Sequence, residues 1–344
     1  MNTVRLPHVS TVVLDIDEAC VVRRVIISNK TAPFVGYSSF SPALIDPSFD
    51  IPMTDTVRID SKRVGLHALI RLIRPKQWIK NGFVLAPLIF TGEFTQPAAV
   101  IQALVAVVLF CLASSASYIL NDICDVDRDR RHPVKSRTRP LAAGQIAVST
   151  ALILLAVIYV ILIIGWFIAP RVILVIAGYL ALNVAYTFVL KHQPVLDIFS
   201  IAIGFVMRVW AGAVALDVPV SGWMFVTTLC LALYLAAVKR GQELAHSGVH
   251  GRKVLERYSK ALVDRYAEMS ATCALVFYSM FVMSAKPQLV VTVPVVLFGL
   301  FRYWYVVEML EGGESPTDAL FDDWPLILTV LVWVGACMWA LWPV

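Results

Sequence analysis

From about residue 66 onward the chain alternates long apolar runs with shorter polar connections. Nine runs read as membrane helices, covering roughly 66–91, 97–120, 146–168, 172–190, 195–216, 220–238, 267–285, 289–307 and 324–343. About 20 apolar residues cross the hydrocarbon core as a helix, and backbone groups in lipid must be satisfied inside their own segment. The pattern therefore predicts an all-α polytopic membrane protein, a bundle of nine transmembrane helices. The first run carries Arg71, Arg74, Lys76 and Lys80 at its start and turns apolar only later, so it should enter along the membrane surface before crossing. Residues 1–64 read differently. Short β-favouring pieces (VVLDID, VVRRVIIS) mix with Pro, Ser and Asp, and none is long enough to span. This extension is expected to be a poorly ordered tail, with Met53 as an alternative start and residues 1–52 contributing nothing to activity. The transmembrane domain would then be 65–344.

A length of 344 residues alone would suit two soluble domains, but 59% apolar against 15% charged residues overrides that prior. The six cysteines form no CxxC pair, and most fall within the runs, which excludes a disulfide framework or zinc site. The six histidines show no metal-ligand spacing, and the N-terminus has no signal-peptide pattern. The net charge of +5 is modest, so no nucleic-acid partner is expected. Its placement is more informative. With the N-terminus in the cytoplasm, the basic residues before and within the first run, six between the second and third, Lys191, and seven from Lys239 to Arg265 all share that side. The other side keeps Arg171 and Lys286. The positive-inside rule thus places the N-terminus and the long polar loops in the cytoplasm and the C-terminus opposite, in a plasma-membrane protein.

The loop after the second run, NDICDVDRDRRHPVKSRTRPLAAG (residues 121–144), holds four aspartates and six basic residues. Asp122, Asp125 and Asp129 are spaced i, i+3, i+7, which puts them on one stripe if the helix continues past the membrane. Like charges on a stripe repel, and a helix C-terminus disfavours anions. A hard divalent cation offsets both: Mg²⁺ takes one or two carboxylates and completes its shell with water and substrate phosphates. Asn121 adds a neutral group at the same rim, and Asp127 should point elsewhere, to an arginine. Acid and base in one loop describe a site for a metal-bound phosphorylated ligand. The other cytoplasmic ends repeat the theme with Arg74, Lys76, Lys80 and Asn81, with Tyr186 and Lys191, and with Lys239, Arg240, Gln242 and Glu243. Asp197 and Arg208 lie inside a predicted span on one face with Gly204, and an ionisable residue there is a candidate functional group. Pairing with a neighbouring helix is the alternative.

The stretch NDICDVDRD followed by RPLAAG resembles the aspartate-rich signature of the UbiA-type intramembrane prenyltransferase superfamily, as do RPKQWIKNGFVLAPL and LKHQPVLDIFSIAIGFVMRVWAGA. The resemblance covers about residues 66–344. It implies nine helices around a lipid-open central cavity with a polar cytoplasmic cap, and Asp122, Asp125 and Asp129 as ligands of Mg²⁺ and a diphosphate. Ordinary members carry a second aspartate-rich motif where this chain reads AAVKRGQELAHSG. That departure resembles the decaprenyl-phosphate phosphoribosyltransferase branch. The branch implies transfer of 5-phosphoribose from phosphoribosyl diphosphate to a polyprenyl phosphate, feeding arabinan cell-wall synthesis. Lys239 and Arg240 would suit a 5-phosphate and Lys80, Lys191 and Arg208 the lipid phosphate, while Arg139 belongs with the basic residues of the aspartate loop, beside a metal-bound phosphorylated ligand. The resemblance also points to a homo-oligomer. A conventional prenyltransferase with an aromatic or other small acceptor shares the first motif and stands as the alternative. A transporter of a phosphorylated solute should show paired halves with broken helices, and no such repeat is legible; a structural subunit leaves the aspartate stripe unexplained.

Overall fold

The computed structural model describes residues 2–6, 9–16, 22–28, 61–132, 134–246, 253–309 and 316–343. The chain divides into two units, Met1–Val57 and Arg58–Val344. In the first, β1 (Asn2–Leu6), β2 (Val9–Ile16) and β3 (Val22–Ser28) form an antiparallel meander in the order β1-β2-β3. The register shifts between Val4 and Leu6 and again between Asp15 and Ile16. β2 and β3 carry the β-favouring pieces noted in the sequence and β1 adds a strand not noted there, so the all-α expectation applies to the second unit.

The second unit has helices as its only regular elements among the described residues. It runs α1 (Ser61–Ile73), a 3-10 segment (Pro75–Leu85), α2 (Ala86–Thr91), α3 (Pro97–Cys124), α4 (Val126–Arg131), α5 (Lys135–Thr138), α6 (Val148–Gly165), α7 (Pro170–Phe188) and α8 (Leu196–Ala215). It continues with α9 (Gly222–His246), α10 (Lys260–Ala285), α11 (Val293–Met309), α12 (Pro316–Asp322) and α13 (Trp324–Ala340). Short 3-10 turns lie at Leu190–His192, Lys253–Arg257 and Pro287–Thr292. Seven segments among the described residues are long and apolar enough to cross a membrane: α3, α6, α7, α8, α9, α10 and the stretch Pro287–Met309. The nine expected runs are not nine such helices. The last, α13, has 17 residues, and the first is broken into α1, the 3-10 segment and α2. Pro75 supplies the break, because it lacks the N–H that a continuing helix would need.

α8 is the central helix. Ala211 belongs to a core formed with α1, α3, α6 and α7 (Leu72, Phe110, Leu155, Ile176). Ile198 belongs to a second core with α9, α10, α11 and α13 (Tyr234, Val263, Tyr303, Leu326). In lipid, helices associate through close packing rather than exclusion from water, which favours small residues at their contacts. α3 meets its neighbours with Ala106, Ala113, Ser114, Ala116 and Ser117, all buried. Gly212 of α8 allows the closest approach. A Cβ there would sit 1.9 Å from the Val84 carbonyl oxygen, so the 3-10 segment lies flush on α8 only because residue 212 has no side chain.

Candidate active site

α3 delivers its aspartates at its C-terminal end, where the sequence turns from apolar to charged. The helix ends at Cys124 with Asp125 as its cap, and α4 restarts one residue later. The hydrogen bonds Asp125 N to Asn121 O and Asp129 N to Asp125 O, both 2.9 Å, carry the helical register across the break. Asp122, Asp125 and Asp129 are all buried, against the preference of a helix C-terminus for cations. Basic side chains offset the cost. Arg139 Nη1 donates to Asp122 Oδ1 (2.7 Å) and to Asp129 Oδ2 (2.5 Å), so one guanidinium bridges the two. Arg74 Nη2 spans both oxygens of Asp122 at 2.6 and 2.7 Å, and its guanidinium lies 5.0 Å from the Tyr118 ring centre. Asp125 turns to other partners: Lys191 Nζ at 3.0 and 3.3 Å, and Arg128 Nη2 at 2.8 Å. Asp127 is exposed and pairs with Arg130.

Asp122 and Asp129 therefore face a common cation, while Asp125 sits beside them in a separate pair. Among the described residues no three His, Cys, Asp or Glu side chains gather at spacing that could hold one metal ion. The buried Asp129 Oδ1 has no hydrogen-bond partner. Of the remaining candidates, Asn121 is half-buried, and its backbone carbonyl accepts the helical bond from Asp125 N. Lys80 is half-buried beside Asn81, as Lys239 is beside Arg240.

Two candidates lie in networks of their own. Arg208 donates from Nε to Asn81 Oδ1 (2.8 Å), from Nη1 to Gly204 O (2.7 Å) and from Nη2 to the Tyr179 hydroxyl (3.1 Å). The rings of Phe110, Tyr179 and Phe205 surround its guanidinium at 5.0–5.2 Å. Among the described residues no carboxylate contacts it, so Asp197 and Arg208 share a face of α8 without pairing. Asp197 pairs instead with the neighbouring helix: Arg240 Nε of α9 donates to Asp197 Oδ2 at 2.6 Å. Arg240, wholly buried, also donates to Glu243 and, at 3.3 Å, to the Tyr186 hydroxyl. Arg240, Glu243 and Tyr186 are thus brought together with Asp197, not with Asp122.

Arg128 is a contact that the sequence reading did not name, whereas Arg74 stood among the residues of the cytoplasmic ends without being singled out as a substrate contact. Arg74 stood in the quoted RPKQWIKN stretch, but its role depends on a backbone angle that no pattern reveals. It sits at φ 56°, ψ 60°, ahead of Pro75, where extended conformations are favoured. Such a conformation costs on the order of 1–3 kcal/mol and persists where the surroundings over-determine it.

A buried acidic cluster ringed by cations, at one end of an apolar helical bundle, is the setting in which relatives can be compared. Residues 83–321 match the UbiA prenyltransferase family. The decaprenyl-phosphate phosphoribosyltransferase of Mycolicibacterium smegmatis is 36% identical over 288 residues, 78% of this chain and 90% of that protein. The chain belongs to the UbiA prenyltransferase family. It is therefore a transferase and a multi-pass membrane protein. The like-named protein of Corynebacterium glutamicum is 34% identical over 291 residues, covering 80% of this UbiA-family chain and 86% of its own length. The structure of a UbiA homologue from Archaeoglobus fulgidus bound to GPP and Mg²⁺ superposes with a TM-score of 0.63 at 17% identity. It covers 80% of this chain and 99% of that one, which establishes a shared helical fold.

Proposed function

We propose that this transferase moves a 5-phosphoribosyl group from phosphoribosyl diphosphate to a polyprenyl phosphate, decaprenyl phosphate by analogy with its relatives, and releases diphosphate. What carries the reading is the asymmetry of the acidic groups. One aspartate cluster stands at the end of α3, while the end of α9 offers Lys239 and Arg240, with Arg240 neutralised by Asp197 and Glu243. A donor with a diphosphate on C1 and a separate phosphate on C5 suits one acidic, metal-binding pole with no second one, and Lys239 is the proposed contact of the 5-phosphate. The relatives' names point the same way.

Magnesium suits the first pole. Asp129 Oδ1 is a buried oxygen with nothing to accept, and a hard cation needs only one or two carboxylates beside substrate oxygens. Asp122 and Asp129, which share Arg139, would hold it, with Asp125 beside them as the third proposed ligand. When bound, it supplies Lewis-acid stabilisation of the departing diphosphate. Arg74 and Arg139 are placed to exchange a carboxylate partner for diphosphate oxygens, the charge-assisted pairing for which a guanidinium is best shaped. In the reaction a lipid phosphate oxygen bonds to ribose C1 as the C1–O bond to diphosphate breaks, and the electron pair leaves with the diphosphate. The attacking oxygen is already anionic at neutral pH, so no general base is required, and positioning supplies much of the rate. Lys80, Lys191 and Arg208 are the proposed contacts of the acceptor phosphate.

The same reading places the N-terminus and the aspartates on the cytoplasmic side of the plasma membrane and the C-terminus opposite. It counts nine crossings, with residues 65–344 as the catalytic domain, allows self-association, and makes the product a precursor for arabinan. Purified protein incubated with Mg²⁺, phosphoribosyl diphosphate and a polyprenyl phosphate should form a lipid-linked phosphoribose, and a chelator should stop it. A prenylated product from a prenyl diphosphate and an aromatic acceptor, with no phosphoribosyl lipid, would overturn the proposal.

A further inference from the structure

Lys191, which holds Asp125, lies four residues before a strained turn. Val195 has φ 69°, ψ −48°, and Leu196 N donates to Pro194 O at 2.8 Å. That is a γ-turn of the rare positive-φ kind, built on a β-branched residue for which positive φ is a marked outlier. Strain of this sort persists only when neighbours over-determine it. Here the neighbour is Tyr258, contributed by the connection between α9 and α10. Val195 N–H donates to the Tyr258 hydroxyl at 2.6 Å, and the hydroxyl donates onward to Asp197 Oδ1 at 2.7 Å. Asp197 Oδ2 is fixed in turn by Arg240. The 3-10 turns Lys253–Arg257 and Leu190–His192 pack on each other, so the contact belongs to a seated connection rather than a lone side chain. Tyr258 is buried, and burial raises its pKa well above the ordinary tyrosine value, which keeps the phenol protonated and able to donate.

We infer that Tyr258 is a positioning residue for the transferase: its hydroxyl pins the Val195 turn and thereby aims Lys191 at Asp125, coupling the α9–α10 connection to the aspartate cluster. The consequence for turnover rests on the donor-site reading above; the aiming of Lys191 does not. Tyr258→Phe keeps the ring but leaves Val195 N–H and one Asp197 oxygen without partners, while the Asp197–Arg240 pair survives. Val195→Gly removes the Cβ conflict with positive φ, so the turn no longer depends on the hydroxyl.

The test is amine-reactive labelling of the full chain in nanodiscs, read at Lys191 by mass spectrometry, beside donor kinetics. Lys191 should be protected in the parent, label several-fold faster in Y258F, and regain protection in V195G/Y258F. Turnover should fall about tenfold in Y258F, and the Y258F/K191M double variant should be no worse than K191M alone, the non-additivity expected of residues acting through one another. Unchanged Lys191 labelling in Y258F, or additive losses in the double variant, would overturn the inference. Should Y258F fail to fold, V195G/Y258F carries the test, and an unprotected Lys191 in that folded protein overturns it. Altered labelling without phosphoribosyl lipid from any variant would uphold the positioning role and remove the donor reading instead.

Discussion

Asp122 accepts from two guanidinium groups, Asp129 shares one of them, and Asp127, two residues before Asp129, faces solvent. Equal charge in unequal surroundings gives a sharp comparison. Asp122→Asn and Asp129→Asn should each lower formation of the lipid product at least about 100-fold, the scale of a lost electrostatic stabiliser, while Asp127→Asn should stay within about twofold. Arg74→Lys keeps the charge but loses the planar fork that would hold two diphosphate oxygens side by side, so donor KM should rise by roughly tenfold, a loss on the order of 1.4 kcal/mol. Spacing made the aspartate stripe legible in the sequence, and Arg139 and Lys191 were legible as basic neighbours. Their pairing was not. Arg139 folds back ten residues to Asp129 while Lys191 crosses 66 residues to Asp125, and only the packed helices decide which cation meets which carboxylate. Arg240 shows the converse: the pattern offered it as a ligand contact, and packing encloses it against Asp197.

At the scale of elements, two glycines on α8 and α9 should respond oppositely to alanine. Gly212→Ala drives a Cβ into the Val84 carbonyl and must push the 3-10 segment, with Asn81, away from Arg208. A clear fall in the thermal midpoint in detergent and loss of activity together are expected. Gly241→Ala meets nothing closer than 3.8 Å and gains helix propensity, so its midpoint should hold or rise. Another link is sensitive to acid. Asp323 caps α13 through Leu326 N and holds Arg302 of α11 by two bonds, and the Arg302 bonds draw its carboxyl below its ordinary value of 3.8. A depressed folded-state pKa contributes stability above the ordinary value and loses it as pH falls through the lowered one. Asp323→Asn should therefore destabilise the protein at pH 7, with the difference narrowing towards pH 3 in thermal scans. The apolar runs marked these elements well because lipid demands length and hydropathy of each span. The break in the first run escaped, since the 3-10 winding depends on the face of α8 that receives it.

The whole molecule divides at Val57, and the proposed catalytic groups all lie in the second unit. A protein beginning at Met53 should insert in membranes and retain full formation of the lipid product, and loss of activity on that truncation would refute the division of labour. Among the described residues seven segments meet the length and hydropathy of a crossing, and the broken first run raises the question of how so few residues could make the proposed further one. Winding answers it. Eleven residues of 3-10 helix rise about 2.0 Å each, and the six of α2 about 1.5 Å each, giving a reach of about 31 Å if laid end to end. The same 17 residues coiled as one α-helix would extend only about 25 Å, short of a hydrocarbon layer near 30 Å. Tighter coiling is thus a longer ruler. On the nine-crossing proposal, it would let a stretch that begins with charged side chains hold them at the rim and still reach the far leaflet.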